Sequence, residues 1–199
     1  MARVYTLLFN GYADWELGNV LPELRRFGKL DIVTAGFNDN PVTSMGGLRV
    51  SVDFTLSQID IEDILIFILP GGNMWENEYP FADIKTFLIR LENAGIPIGA
   101  ICAATTVLAR AGILCNRKHT SNSIHYLSSK VPDYSNHADY THSLSARDKH
   151  VITASGVGAV EFAMDVFDEL QVMTDEMQAV WFNAMKHGKY PDNIEIPNV

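Results

Sequence analysis

Residues 96–106 read IPIGAICAATT, and within them the chain changes from one kind of secondary structure to another. The first half is short, apolar and rich in isoleucine, which is typical of a buried strand. From Ala103 to Ala111 alanine and leucine dominate until Gly112, which predicts a helix followed by a terminating glycine. Cys102 is therefore predicted at a sharp turn from a strand into a helix.

Cys102 is flanked two positions away on each side by alanines, Ala100 and Ala104. Small neighbours at this spacing are typical of a nucleophile elbow, a turn so tight that it pushes the nucleophile clear of the backbone. A helix N-terminus is expected to lower the pKa of the thiol, and the Ala103 N–H is a natural oxyanion donor. The alternative is a small structural cysteine, since cysteine is among the most buried residue types.

The composition is that of an ordinary globular protein. The chain has 199 residues, of which 47% are hydrophobic and 20% are charged, so we expect one domain over residues 1–199. A net charge of -9 argues against nucleic acid and against anionic membrane surfaces as partners. Two cysteines do not make a disulfide framework, and no signal-peptide pattern is present, which together favour a cytoplasmic location.

Strand and helix patterns alternate along almost the whole chain. This alternation predicts an α/β fold in which helices cover both faces of a mostly parallel sheet, with a small accessory hairpin at residues 42–52. The predicted strands are residues 4–9, 30–35, 64–69, 96–101 and 151–154. The predicted helices are residues 14–27, 81–93, 103–111, 124–131, 159–170 and 174–187.

Reactive groups in parallel sheets gather at the carboxyl ends of the strands. Three candidates fall there: Glu16 after the first strand, the Gly71-Gly72 turn after the third, and Cys102. Paired glycines let backbone N–H groups approach a ligand closely. Glu16 has two interpretations, either a carboxylate that complements a helix dipole or a buried acid with a raised pKa that donates to the Cys102 thiolate.

Metal chemistry is not expected. None of the six histidines forms a helical i, i+4 pair, and the two cysteines form no CxxC motif, so we predict no metal and no cofactor. His119 and His125 follow the predicted elbow helix and could reach Cys102, although a surface position is the simpler expectation. Cys115 lies beyond that helix and is interpreted as structural.

Three motifs, taken in order, resemble the ThiJ/PfpI superfamily: Leu69-Pro70-Gly71-Gly72-Asn73, Ala100-Ile101-Cys102-Ala103-Ala104, and Ile152-Thr153-Ala154-Ser155-Gly156 followed by Glu161-Phe162-Ala163. The resemblance covers roughly residues 2–170 and implies a flavodoxin-like three-layer fold of the glutamine amidotransferase type. It implies that Cys102 is the nucleophile and that Glu16 hydrogen-bonds it. It also implies oxyanion donors at Gly71 or Gly72 together with Ala103.

The chain departs from this family at the positions where relatives place a histidine. Ala103 follows the cysteine, where the proteolytic branch has histidine, and an ungapped count puts Asn122 where deglycase-like and chaperone-like members have theirs. The late His-x-Glu pair of glutamine amidotransferases is missing as well. A thiolate is therefore supported, whereas a Cys-His triad is not.

Three functions remain open on the sequence. The first is a cysteine-dependent enzyme acting on a small carbonyl, acyl or peptide substrate, as a peptidase or amidase or as a glyoxalase or deglycase. The second is a redox-sensing, stress-response or chaperone-like protein whose Cys102 is oxidised without turnover. The third is a binding module with a vestigial thiol. Dimerisation is common among relatives, but nothing in the sequence decides it.

Overall fold

The computed structural model describes residues 2–191. Its centre is a seven-stranded sheet in the order β5-β2-β1-β6-β7-β9-β8, in which only the β8–β9 pair is antiparallel. The sheet strands are β1 (Arg3–Leu7), β2 (Ile32–Gly36), β5 (Phe54–Thr55), β6 (Ile64–Leu69), β7 (Ile98–Ile101), β8 (Ser145–Asp148) and β9 (Val151–Ala154). A separate antiparallel pair consists of β3 (Val42–Thr43) and β4 (Arg49–Val50).

The helices pack in two groups, one on each face of the sheet. They are α1 (Asp14–Leu17), α2 (Val20–Arg26), α3 (Phe81–Asn93), α4 (Thr105–Ala111), α5 (Ile124–Lys130), α6 (Ala159–Leu170) and α7 (Asp175–His187). The chain moves in opposite directions across the sheet from β1 to β2 and from β6 to β7, so right-handed crossovers place α2 and α3 on opposite faces. Accordingly, α6 contacts α2 and α7, whereas α4 contacts α3 and α5.

The flavodoxin-like α/β architecture is confirmed, and four elements have the predicted bounds: β6, α3, β9 and α6. Three expectations need correction. The helix predicted over residues 14–27 is two helices separated at Gly18 and Asn19, the helix after Cys102 begins only at Thr105, and strands β5 and β8 were not predicted. A short polar edge strand such as β8 carries no apolar signal, because much of it faces solvent.

The accessory hairpin β3–β4 is confirmed, and the Gly11 N–H, in the loop after β1, donates to the Thr43 carbonyl at 2.7 Å. Ser44 donates its hydroxyl to Asp14 Oδ2 at 2.6 Å, which ties the hairpin to α1. A Cβ on Gly46 would lie only 2.3 Å from the same carboxylate oxygen, so glycine is required for this close approach. The hairpin thus fixes the start of the helix that carries Glu16.

None of the helices within residues 2–191 is long and apolar enough to cross a membrane.

Candidate active site

Cys102 occupies a strained position between β7 and α4. Its backbone φ is 60°, in the left-handed region, where a non-glycine residue costs about 1–3 kcal/mol. A 3₁₀ turn at Cys102–Ala104 precedes α4, and the Thr105 hydroxyl donates to the Cys102 carbonyl at 2.7 Å. Strain of this kind persists only where the surroundings enforce it, and here it turns the thiol out of the strand, as the elbow prediction requires.

Two glycines make room for this thiol. A Cβ on Gly71 would lie 2.7 Å from Cys102 Cβ, and one on Gly156 would lie 2.8 Å from the sulfur. Both positions would also crowd the Glu16 carboxylate, at 2.8 Å and 3.3 Å. The carboxyl ends of β6 and β9 therefore enclose the thiol and Glu16 together. Gly156 was not among the predicted site residues.

Glu16 is fully buried, with 0% of its surface exposed. The Gly71 N–H donates to its Oε2 at 2.6 Å, while Oε1 is buried and has no hydrogen-bond partner of good geometry among the described residues. Burial raises the pKa of Glu16 from 4.5 to about 7, even though the Gly71 N–H and the Cys102 thiol both act to lower it. At neutral pH this carboxyl can therefore both give and take a proton.

The Gly71 contact corrects one expectation. Because its N–H already donates to Glu16, Gly71 is not a free oxyanion donor. The Ala103 N–H lies by the Cys102 sulfur, where it acts to lower the pKa of the thiol. Of the expected oxyanion donors, Gly72 and Ala103 stay predictions.

The expected fall in the pKa of Cys102 is wrong. Burial, followed by the negative charge of ionised Glu16, raises the pKa of the thiol from 9.0 to about 11, although Asn122 and the Ala103 N–H act to lower it. Desolvation of the buried thiol is the largest of these contributions. Cys102 and Glu16 thus titrate as a coupled pair, and a protonated Glu16 would remove the repulsion that disfavours the thiolate.

Asn122 contacts the sulfur directly. Its Nδ2 donates to Cys102 Sγ at 3.3 Å, and its Oδ1 accepts from the Gly156 N–H at 2.9 Å. The second bond fixes which end of the amide faces the sulfur, because only the oxygen can accept from an N–H. A neutral donor therefore occupies the position where deglycase-like relatives are expected to place histidine.

His119 does not assist the thiol through direct contact. Its ring is buried, with Nδ1 at 2.7 Å from the Arg117 carbonyl oxygen and Nε2 at 2.7 Å from the Tyr134 hydroxyl. Burial lowers its pKa, which favours the neutral ring. His125 is exposed on α5. Within residues 2–191 no histidine hydrogen-bonds Cys102, and no cluster of three or more His, Cys, Asp or Glu side chains could hold a metal ion.

A polar group beside the site was missed at the sequence level. The Tyr126 hydroxyl donates to Glu76 Oε1 at 2.7 Å, and Lys130 Nζ lies 2.5 Å from Glu76 Oε2. Burial, the contact with Glu76 and the charge of Cys102 all raise the pKa of Tyr126. Tyr126 and Lys130 stand four residues apart on α5, a spacing that could have indicated a shared partner but not which carboxylate fills that role.

Comparison with known proteins agrees with this geometry. The family model described as "DJ-1/PfpI family" matches residues 2–169. The chain belongs to the DJ-1/PfpI family. Over 203 aligned residues it is 34% identical to the Bacillus subtilis (strain 168) protein named "Uncharacterized protease YoaZ", covering 98% of this chain and 96% of that one. The ThiJ/PfpI resemblance is therefore confirmed.

Solved structures of the DJ-1/PfpI family share the whole architecture. A thiJ/pfpI family protein from Bacillus anthracis superimposes with a TM-score of 0.88 at 33% identity, covering 94% of this chain and 91% of that one. The DJ-1 superfamily protein Atu0886 from Agrobacterium tumefaciens gives 0.85 at 31% identity, covering 94% and 100%. The single-domain, dimeric and cytoplasmic expectations stay predictions.

Proposed function

We propose that the protein is an enzyme in which the Cys102 sulfur adds to the carbonyl carbon of a small aldehyde while Glu16 carries the proton. The observation that carries this proposal is the buried Glu16 carboxyl, with a pKa of about 7, packed beside a strained thiol. A general acid or base works best when its pKa lies near the operating pH. The Asn122 Nδ2–H also donates to the sulfur.

An aldehyde suits this site better than an amide. Hydrolysis of an amide requires a proton on the leaving nitrogen, which cysteine and serine peptidases supply from a histidine beside the nucleophile. Here Asn122 donates a hydrogen bond to the sulfur, and no histidine among residues 2–191 does so. Addition to an aldehyde expels no group, so a thiol and one carboxyl suffice.

The names of relatives support both enzyme classes. YoaZ is named a protease. A Thermococcus kodakarensis relative is named "Deglycase TK1284", and a Caenorhabditis elegans relative, 31% identical over 148 residues, is named "Glutathione-independent glyoxalase DJR-1.2". Because deglycase-like relatives are also expected to have a histidine at the Asn122 position, the missing histidine does not choose between the two classes. We favour the aldehyde because its addition to the thiol expels no group.

For a 2-oxoaldehyde the proposed steps balance without an oxidant. The S–C bond forms while the thiol proton passes through Glu16 to the carbonyl oxygen, giving a hemithioacetal. Glu16 then removes the proton from the carbon bonded to sulfur, a proton is returned to the neighbouring carbon, and the hydroxyl proton moves to the second oxygen. The resulting thioester reacts with water, which releases a 2-hydroxy acid and restores the thiol.

The alternative of a redox sensor is less well supported. Peroxide oxidises the thiolate rather than the thiol, and burial together with ionised Glu16 raises the pKa of Cys102 to about 11. Slow oxidation of Cys102 at neutral pH is therefore expected. Rapid formation of a sulfinate without turnover of any aldehyde would instead favour the sensor.

Methylglyoxal, the simplest methyl-substituted 2-oxoaldehyde, provides the test. We expect the protein to convert it to the 2-hydroxy acid, Cys102→Ala to be inactive, and Cys115→Ala, which changes an exposed thiol, to keep full activity. Product should be measured directly, because loss of aldehyde alone could reflect simple adduct formation. Equal activity of the two alanine variants, or cleavage of amide substrates with no product from the aldehyde, would contradict the proposal.

A further inference from the structure

A cavity of about 460 Å³ lies towards the amino edge of the sheet, and the proposed reaction does not use it. It is lined by residues from β8, from the end of α6, from the turn that follows and from the start of α7: Arg147, Asp168, Gln171, Met173, Asp175 and Gln178. Helix α6 begins at Ala159, close to Gly156, and Asp168 lies about 14 Å further along its axis. This amino-edge cavity is therefore separate from the site at Cys102.

The Gln178 side chain is buried at this cavity without a hydrogen-bond partner. The residue is only 5% exposed, and no group within residues 2–191 forms a hydrogen bond with its amide oxygen or nitrogen. The amide is not fully enclosed like the unpaired Trp181 Nε1, one turn further along α7, so a molecule in the cavity can reach it. Buried polar groups are nearly always hydrogen-bonded. An unpaired carboxamide on a cavity wall therefore indicates that its partner comes from the cavity.

The charged residues of the amino-edge cavity restrict what can bind there. Arg147 Nη1 lies 3.0 Å from Glu169 Oε2, and its Nη2 lies 3.7 Å from Asp168 Oδ2. An anionic ligand would find this guanidinium already neutralised, and it would also face the carboxylates of Asp168 and Asp175. An ammonium or guanidinium ligand has no lone pair that could accept from Arg147 or from the Gln178 nitrogen. The wall therefore requires a neutral ligand that both donates and accepts.

Hydroxyl groups meet this requirement, because each of them can donate and accept. Two hydroxyls on neighbouring carbons can donate to both oxygens of a carboxylate. The same pair can bind a carboxamide, one hydroxyl donating to its oxygen while the other accepts from its nitrogen. We propose that the amino-edge cavity binds a small sugar or polyol through vicinal hydroxyls, which Gln178, Asp168 and Asp175 recognise. Its volume lies within the range of about 300–1,000 Å³ that is usual for small-molecule sites, and only Met173 among its six lining residues is apolar.

myo-Inositol is the probe, and phloroglucitol, a cyclohexane triol whose hydroxyls stand on alternate carbons, is its matched control. Neither compound has a carbonyl group, so the chemistry proposed at Cys102 cannot consume it. Glutamine side chains give NH₂ signals in a ¹⁵N-correlated NMR spectrum, and Gln178→Met identifies the pair of interest. We expect inositol to shift the Gln178 signals in a saturable manner. Gln58, beyond the opposite edge strand β5, accepts from the Thr55 N–H at 2.8 Å, and its signals should not move.

Calorimetric titration of variants completes the test. Gln178→Met keeps the length of the side chain but removes two hydrogen bonds, so it should weaken inositol binding about 25-fold, whereas Gln58→Met should leave it unchanged. Asp168→Asn removes one acceptor oxygen and should weaken binding about fivefold. Circular dichroism shows whether each variant is folded, and the wild-type comparison of inositol with phloroglucitol decides the question if one is not. Fixed Gln178 signals, which would mean that water alone satisfies the amide, equal shifts from phloroglucitol, or unchanged binding by folded Gln178→Met would overturn the proposal.

Discussion

Glutamine at position 16 keeps the shape of the Glu16 side chain but cannot ionise, so Glu16→Gln should change how stability depends on pH. Burial raises the pKa of Glu16 from 4.5 to about 7. Between these two values the unfolded chain releases the proton and the folded protein retains it. The free energy of unfolding of the wild type therefore falls as the pH rises through this range.

The size of the effect follows from the two pKa values. At 1.36 kcal/mol per pKa unit, a folded pKa of about 7 against an ordinary value of 4.5 corresponds to about 3 kcal/mol. Below pH 4.5 the carboxyl is protonated in both states and this contribution vanishes. The free energy of unfolding of Glu16→Gln minus that of the wild type should therefore rise by about 3 kcal/mol as the pH goes from below 4.5 to above about 7.

Urea unfolding at a series of pH values measures this difference. Other titrating groups, including the buried His119, contribute equally to both proteins and cancel in the comparison. Glu78→Gln, which alters an exposed loop carboxylate, is the matched control and should follow the wild-type curve. The comparison should be repeated with Cys102→Ala in both proteins, because ionised Glu16 and the thiol interact.

Parallel stability curves for wild type and Glu16→Gln would refute this reasoning. Such a result would mean that water or a local rearrangement solvates the carboxylate, leaving Glu16 ionised at neutral pH. The proposed proton transfer would then lose its carrier. Turnover gives a second measure, since removing a general acid–base group usually costs 10²–10⁴-fold, and Glu16→Gln should lose about that much activity.

Three further predictions concern the surroundings of the sulfur. Asn122→Ala removes the Nδ2–H donor, so iodoacetamide should alkylate Cys102 about fivefold more slowly at neutral pH; an unchanged rate would contradict the contact. Gly156→Ala places a Cβ 2.8 Å from the sulfur and should lower turnover strongly, whereas Gly18→Ala, with 3.4 Å to its nearest neighbour, should not. His119→Ala should lower the urea midpoint by breaking buried bonds yet leave Cys102 alkylation unchanged, and a lost reaction would show that the ring assists the thiol.

Local sequence patterns were sufficient to predict the central strands and the position of Cys102 at a sharp turn. The apolar composition of Ile64–Leu69 was enough to predict a buried strand, and this run forms the central strand β6. The small residues around Cys102 predicted a tight turn, and the φ of 60° agrees with that prediction. In both cases the relevant interactions lie within a few residues in sequence.

Contacts between residues far apart in the sequence decided two features of the site that local patterns predicted wrongly. The thiol pKa was expected to fall because of a local helix dipole, but burial of the thiol within the fold raises it. Likewise, the Gly71 N–H was expected to face an oxyanion, and it instead meets Glu16, a residue 55 positions earlier in the chain. Desolvation depends on every element that covers a group, so no spacing rule along the chain can supply it.

Ultraviolet titration of the Cys102 thiolate tests most directly whether Cys102 and Glu16 act as one unit. It should be done with Cys115 replaced by serine, so that a single thiol absorbs. Ionised Glu16 raises the pKa of the thiol, and glutamine removes that charge while keeping a donor. The account predicts that Cys102 in Glu16→Gln titrates in one step and at lower pH than in the wild type. Superimposable curves for the two proteins would contradict it.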